Sequence, residues 1–198
     1  MIGDTSFIPV LKKAMKDTSD RVRWSVSNVL IAFGEFKEAR DYVIERCKEK
    51  HAYELSIIEK LYEKTKSKDE EFVKIAIEAS NKSDERDRLK AAQILKKYNE
   101  IEIAFSVFKE IAQKGHRFRE YALADLAAIG HEAAINIVLG ASNDDDISIR
   151  NEALKALEHQ SERGNNLALS ALKEIEIKGN YNDTRKKARE AINRLIVK

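Results

Sequence analysis

One cysteine, one proline and one tryptophan occur in 198 residues, and each scarcity excludes something. Cys47 alone cannot close an internal disulfide or form a Cys-x-x-Cys metal clasp, so no disulfide framework holds this chain together. A single proline, Pro9, leaves long helices uninterrupted elsewhere. Only seven glycines are present, with no phosphate-cradling Gly-rich loop among them, and His-Glu-x-x-His is missing too. No run approaches the roughly 20 apolar residues of a membrane span, and no basic-then-apolar leader follows Met1, so a reducing cytoplasm is the expected compartment. Charge of one sign is not in excess: 36 Lys and Arg stand against 34 Asp and Glu, a net of +2. With 35% charged residues, this describes a solvated surface and not a polyanion-binding composition.

What is present is repetition. Leu30, Leu61, Leu95, Leu126, Leu157 and Ile192 recur at separations of 31, 34, 31, 31 and 35 residues. Four positions before each lies a second column, Val26, Ile57, Ala91, Ala122, Ala153 and Ala188. Three before that comes a third, Arg23, Glu54, Arg88, Arg119, Arg150 and Arg185. A period between about 20 and 50 residues marks units that bury their apolar faces only by stacking on neighbours. Within the unit, Val22, Val26, Val29, Leu30 and Phe33 fall on one face of a 3.6-residue helix. Shorter stripes follow each time, such as Phe36, Ala39, Val43 and Cys47, or Ile101, Ala104, Phe105, Phe108 and Ile111. Sustained strand-like alternation is missing, so the expectation is helical hairpins and no sheet.

The breaks between stripes agree. Asp20, Asp146 and Asp183 stand where a short acceptor side chain caps a helix start. Gly34, Gly115, Gly130, Gly164 and Gly179 fall between predicted helices, where a left-handed residue ends a helix. Pro9 opens a helix over 9–16, where a missing amide costs least, and a last helix is expected over 183–197.

The run Asp20-x-Val22-Arg23-x-x-Val26-x-x-Val29-Leu30-x-x-Phe33-Gly34, with its copies at 118–130 and 149–157, resembles the HEAT-repeat family, in particular the short HEAT-like repeats also found in phycobilin lyases. The second copy departs from the pattern, with Glu54 in the arginine column and Lys64 where Phe33 or Ile129 is apolar. The resemblance covers nearly the whole chain and implies an all-α, right-handed α-solenoid of stacked antiparallel hairpins, about twelve helices in one domain over 1–198. Its units are a half-repeat at 1–19, repeats at 20–50, 51–83, 84–115, 116–143 and 144–181, and a terminal helix at 182–198. The family is defined by architecture and hosts many functions. In it the second helices line the concave face, here those near 36–48, 69–80, 101–113, 132–141 and 165–177. Its arginine positions tie neighbouring repeats, a role implied here for Arg23, Arg88, Arg119, Arg150 and Arg185. Stacked guanidinium groups could also track phosphates, which is the competing reading. Glu54 is expected to pair with Arg23 or Arg88.

No catalytic, cofactor-binding or metal-ligating constellation emerges, so no cofactor is expected. Cys47 lies on an apolar stripe and reads as a core residue. His51 and His116 share one position of the repeat but lie two units apart, too distant to hold one metal, and His131 and His159 lie in or near turns of different units. Asn143-Asp144-Asp145-Asp146 lacks the spacing and the distal Glu of a calcium loop and reads as a capping segment. Candidate interaction residues are Lys37, Arg40, Lys109, Asn136 and Lys173 on the second helices, Arg185, Lys186 and Arg189 on the locally basic last helix, and Phe7 and Ile8. The N-terminal stretch, with Ile2, Phe7, Ile8, Val10, Leu11, Ala14 and Met15, is more widely apolar than one buried stripe needs, which suggests self-association through that edge or cover by a partner. The leading expectation is a non-catalytic scaffold that binds another protein through its concave helical surface, with no membrane association. The alternative is nucleic-acid binding, since alkylpurine DNA glycosylases use HEAT-like repeats; the lone Trp24, with Asn28 four residues on, sits in a first helix. A bilin lyase is a third reading, resting on repeat similarity alone.

Overall fold

The computed structural model describes residues 5–50, 54–82, 84–115 and 117–196, with backbone alone at 48–50. Among these the chain is all-α, without a strand. The helices are α1 (Ile8–Ala14), α2 (Asp20–Ala32), α3 (Phe36–Lys50), α4 (Leu55–Thr65), α5 (Glu70–Ser80), α6 (Glu85–Lys97), α7 (Ile101–Lys114), α8 (Arg119–Ile129), α9 (Glu132–Ala141), α10 (Ile147–Glu162), α11 (Asn166–Lys178) and α12 (Asn182–Ile196), and a 3-10 turn at Thr5–Phe7 precedes α1. Contacts gather into two units, Met1–Lys82 and Ser83–Lys198.

In the first unit α2 packs against α1, α3 and α4, and α3 packs against α4. Leu30, Ile57 and Val43 are buried there, as are Phe72 and Ala76 of α5. In the second unit each helix from α6 to α11 packs on its successor. Alternate helices also meet: α8 with α10 and α10 with α12 form one row, while α7 with α9 and α9 with α11 form another. The Leu column and the column four positions before it are buried throughout, from Val26 and Leu30 to Ala188 and Ile192. Alanine at Ala91, Ala122, Ala153 and Ala188 is fully enclosed, and so small a side chain lets neighbouring backbones approach.

Several details differ from the sequence reading. Val22 and Val29 are 37% and 40% exposed, while Ser27 and Ile31 are buried in their place. The covered face of α2 is therefore turned toward 26, 27, 30 and 31, because α2 has neighbours on more than one side. Ser27 tolerates burial because its hydroxyl donates to the Arg23 carbonyl at 2.8 Å. Asp20 is not a cap; Ser19 holds that position without a side-chain bond, and Asp20 binds arginines instead. Asp183 lies inside the first turn of α12, 3.7 Å from Arg150. Asp146 does cap, accepting from the Ser148 amide at 2.8 Å. Gly34, Gly130 and Gly164 have positive φ, but Gly115 and Gly179, at φ −70° and −56°, do not. At Gly179 the constraint is proximity, since a Cβ would lie 2.7 Å from the Ile175 carbonyl oxygen.

Leu126 is fully buried, so Leu126→Ala should lower the unfolding free energy by about 2–5 kcal/mol, the cost of lost transfer energy plus a cavity. Lys37→Ala, on the surface, should change it by no more than about 0.5 kcal/mol. Equal shifts in denaturant midpoint for the two variants would contradict the assigned core.

Candidate functional site

The arginine column is the most regular polar feature of the second unit. Three of its members reach back to the end of the preceding second helix or the loop after it. Arg119 donates from Nε to the Ala112 carbonyl of α7 at 3.0 Å and from Nη2 to Asp144. Arg150 donates from Nη1 to the carbonyls of Asp144 and Asp145 at 2.9 and 3.0 Å, and its guanidinium lies 3.9 Å from the Tyr181 ring centroid. Arg185 donates to the Gly179 carbonyl at 2.5 Å and to Asn182. A helix ends with unsatisfied carbonyls and a partial negative charge, and a planar cation with several donors suits both. Arg88 instead bonds to Glu110 of α7 at 2.5 Å.

The segment Asn143–Asp146 is the counterpart of this column, and each of its members is occupied by protein donors. Asn143 accepts from the Asn180 amide at 2.8 Å. Asp144 takes Arg119, and Asp145 accepts from the Tyr181 hydroxyl at 2.9 Å. Burial alone would raise the Asp144 carboxyl, but the Arg119 hydrogen bond and the Asp146 amide outweigh it and hold it below the usual carboxylate range.

In the first unit the corresponding network is different. Asp20 accepts from Arg23 and from Arg46 at 2.8 Å. Within this unit Glu54 accepts from Arg46 at 3.4 Å and not from the expected Arg23, which is held by Asp20 and Glu45. Arg23 turns to Glu45 at 3.2 Å and stands over the Tyr42 ring. Burial, with the Glu54 charge adding to it, pushes the Tyr42 phenol up to about 12. Cys47 is buried, and burial likewise raises its thiol.

The candidate interaction residues divide by environment. Arg40 is engaged, its Nε and Nη2 donating to the two Asp69 oxygens at 2.5 and 3.3 Å, and Asp69 in turn caps α5 through the Glu71 amide. Arg189 pairs with Glu176 at 2.8 Å, and Lys186 is exposed. Elsewhere on α12, Arg194 pairs with Glu158, and Lys187 and Arg185 donate to the neutral Asn151 side chain and Gly179 carbonyl, so four of the helix's five cations already have partners within the fold. Lys37, Lys109, Asn136 and Lys173 are exposed. The last three lie on α7, α9 and α11, helices of one row. Phe7 is 60% and Val10 65% exposed, with Ile8 half-buried. Trp24 is 40% exposed beneath the Lys60 ammonium at 5.9 Å. Ile2, His51 and His116 lie outside the described residues. His131 caps α9, its Nδ1 accepting from the Ala134 amide at 3.2 Å, and His159 is near Glu162. Among the described residues no group of three or more metal-ligating side chains converges, and no helix is long and apolar enough to cross a membrane.

Sequence reasoning missed Arg46, Tyr181 and Asn165. Asn165 caps α11 and also donates to the Gly130 carbonyl at 3.1 Å. Its place one residue after Gly164 and just before an apolar stripe was a cap signal that sequence could have supplied. No protein-family model matches the chain, and no curated protein matches it in sequence.

The depressed Asp144 carboxyl gives stability that is present above its unfolded value near 4 and is lost as pH falls through that value and below. Arg119→Gln should therefore cost about 1–3 kcal/mol at neutral pH, for the loss of charge-assisted bonds in a partly buried site. The gap between wild type and variant should shrink as pH falls from about 5 to about 3. A gap independent of pH in urea titrations would show that the loss does not come from the ionised Asp144 carboxylate.

Proposed function

We propose that the chain is a HEAT-like, right-handed α-solenoid of stacked antiparallel hairpins, and that it acts as a non-catalytic scaffold binding a protein partner through the solvent face of its second helices. The observation that carries this reading is the row α7, α9, α11. Its helices anchor inward through Phe108, Ile135 and Leu172, while the next residue of each, Lys109, Asn136 or Lys173, faces solvent. Three helices thus offer one periodic surface with side chains in register, which suits an extended partner. The arginine column supports the same reading from the other side, because its guanidinium groups are committed to carbonyls and carboxylates that join successive helices.

The nucleic-acid reading has less support. Arg185, Lys187, Arg189 and Arg194 are bound to Gly179, Asn151, Glu176 and Glu158, so phosphates would have to displace existing partners. Trp24 has Lys60 above it and a first-helix position.

Selection of peptides from a random display library against the intact chain, followed by a hydrogen-exchange footprint, tests the scaffold reading. Protection is expected at α7, α9 and α11. Binders that protect only α8, α10 and α12, or a failure to select any, would contradict it.

A further inference from the structure

On the α7–α9–α11 face two cations stand outside the ion pairs of the second unit. Lys109 and Lys173 are exposed and make no ion pair or hydrogen bond among the described residues, whereas nearby Glu110, Glu174 and Glu176 are taken by Arg88, Lys178 and Arg189. The two lysines occupy the same angular position, each directly after a core anchor, and Asn136 holds that position on the helix between them. Two residues before each anchor stand Ser106, Ala133 and Ser170, all exposed and all short. The face is therefore a shallow strip crossed by two uncompensated ammonium groups, with a neutral amide able both to donate and to accept at its centre.

Resting on the scaffold reading above, we infer that this strip binds an extended acidic peptide segment, its carboxylates on Lys109 and Lys173 and its backbone over Asn136. Geometry sets the spacing. Packed helices lie about 8–10 Å apart, so the two lysines are separated by two such steps, about 16–20 Å. An extended chain rises about 3.3 Å per residue, which places the two carboxylates about five or six residues apart. Glu102 and Glu132 bound the strip toward the helix N-termini. They lie about 10 Å and 6 Å along their helices from Lys109 and Asn136, and they direct the acidic segment away from that edge. A peptide fits better than a nucleic acid: the rings beside the strip, Phe105 and His131, are half-buried and packed edge to face on each other, and two lysines neutralise only two phosphates.

The test is fluorescence anisotropy of the intact chain with three labelled peptides of about twelve residues. One carries two Asp-Glu pairs about six residues apart, one the same pairs adjacent, and one Asn and Gln in their place; a single-stranded DNA oligonucleotide is the fourth probe. The expected result is tightest binding of the spaced acidic peptide, weakening from about 50 to about 300 mM salt as charge is screened. Lys109→Glu combined with Lys173→Glu should weaken it by at least about tenfold, since both attractive contacts are lost and each is replaced by like-charge repulsion, while Lys186→Glu on α12 leaves it within about twofold. Equal binding of all three peptides, unchanged binding in the double variant, or tighter binding of the DNA through the same lysines would overturn the inference. If neutral peptides from the display selection footprint on α7, α9 and α11 while the spaced acidic peptide does not bind, the acidic specificity falls and the scaffold reading stands. If neither binds there, both fall.

Discussion

A first helix of the second unit is covered on two adjoining stripes, and the rest of the unit depends on that. In α8 the buried residues are Ala122, Leu123, Leu126 and Ala127, and in α10 they include Ala153, Leu154, Ala156 and Leu157. Each of these helices packs on its neighbours in sequence and also on the helix two places along, so no single neighbour covers its apolar surface. At roughly 25 cal/mol per Å² of apolar area removed from water, stacking is where the stabilisation comes from. The small residues in these stripes let the rows close up; the long ones fill the space between rows. Polar groups then attach at the margins of this packing. The arginine column joins helix ends, and pairs such as Arg194 with Glu158 and Lys96 with Asp125 join neighbouring first helices.

That division between apolar interior and polar margin explains what was legible in the sequence. The Leu column is read from its period, because burial of one residue per unit at a fixed helical angle must recur if each unit meets its neighbour in the same way. All-α architecture follows from the same spacing. Val22 and Val29 were misplaced because a 3.6-residue pattern locates an apolar stripe without saying how many neighbours a helix has; Ser27 is buried since its hydroxyl finds a carbonyl within its own helix. Gly115 and Gly179 were assigned to the right boundaries for the wrong reason, as close approach of a carbonyl leaves no more mark on the sequence than a left-handed φ does.

The polar site was less legible. Carbonyl acceptors are silent in sequence, so the Ala112 carbonyl that receives Arg119 and the Gly179 carbonyl that receives Arg185 could only be found in three dimensions. Arg40 illustrates the converse. Chosen as a surface residue by its place on a second helix, it is held by Asp69, whereas Lys109, Asn136 and Lys173 remain open to solvent. Position along a helix separates inward from outward residues well enough, but whether an outward charge is already neutralised depends on the next helix.

Nearest-neighbour stacking is the central claim, and native-state hydrogen exchange reads it directly. If stability is shared between adjacent helices, amides around Leu126 in α8 and Leu157 in α10, covered by neighbours on several sides, should exchange last, with α11 and α12 opening earlier in a graded order. A single exchange rate for all protected amides from α6 to α12, insensitive to position, would show one global unfolding unit and contradict the account.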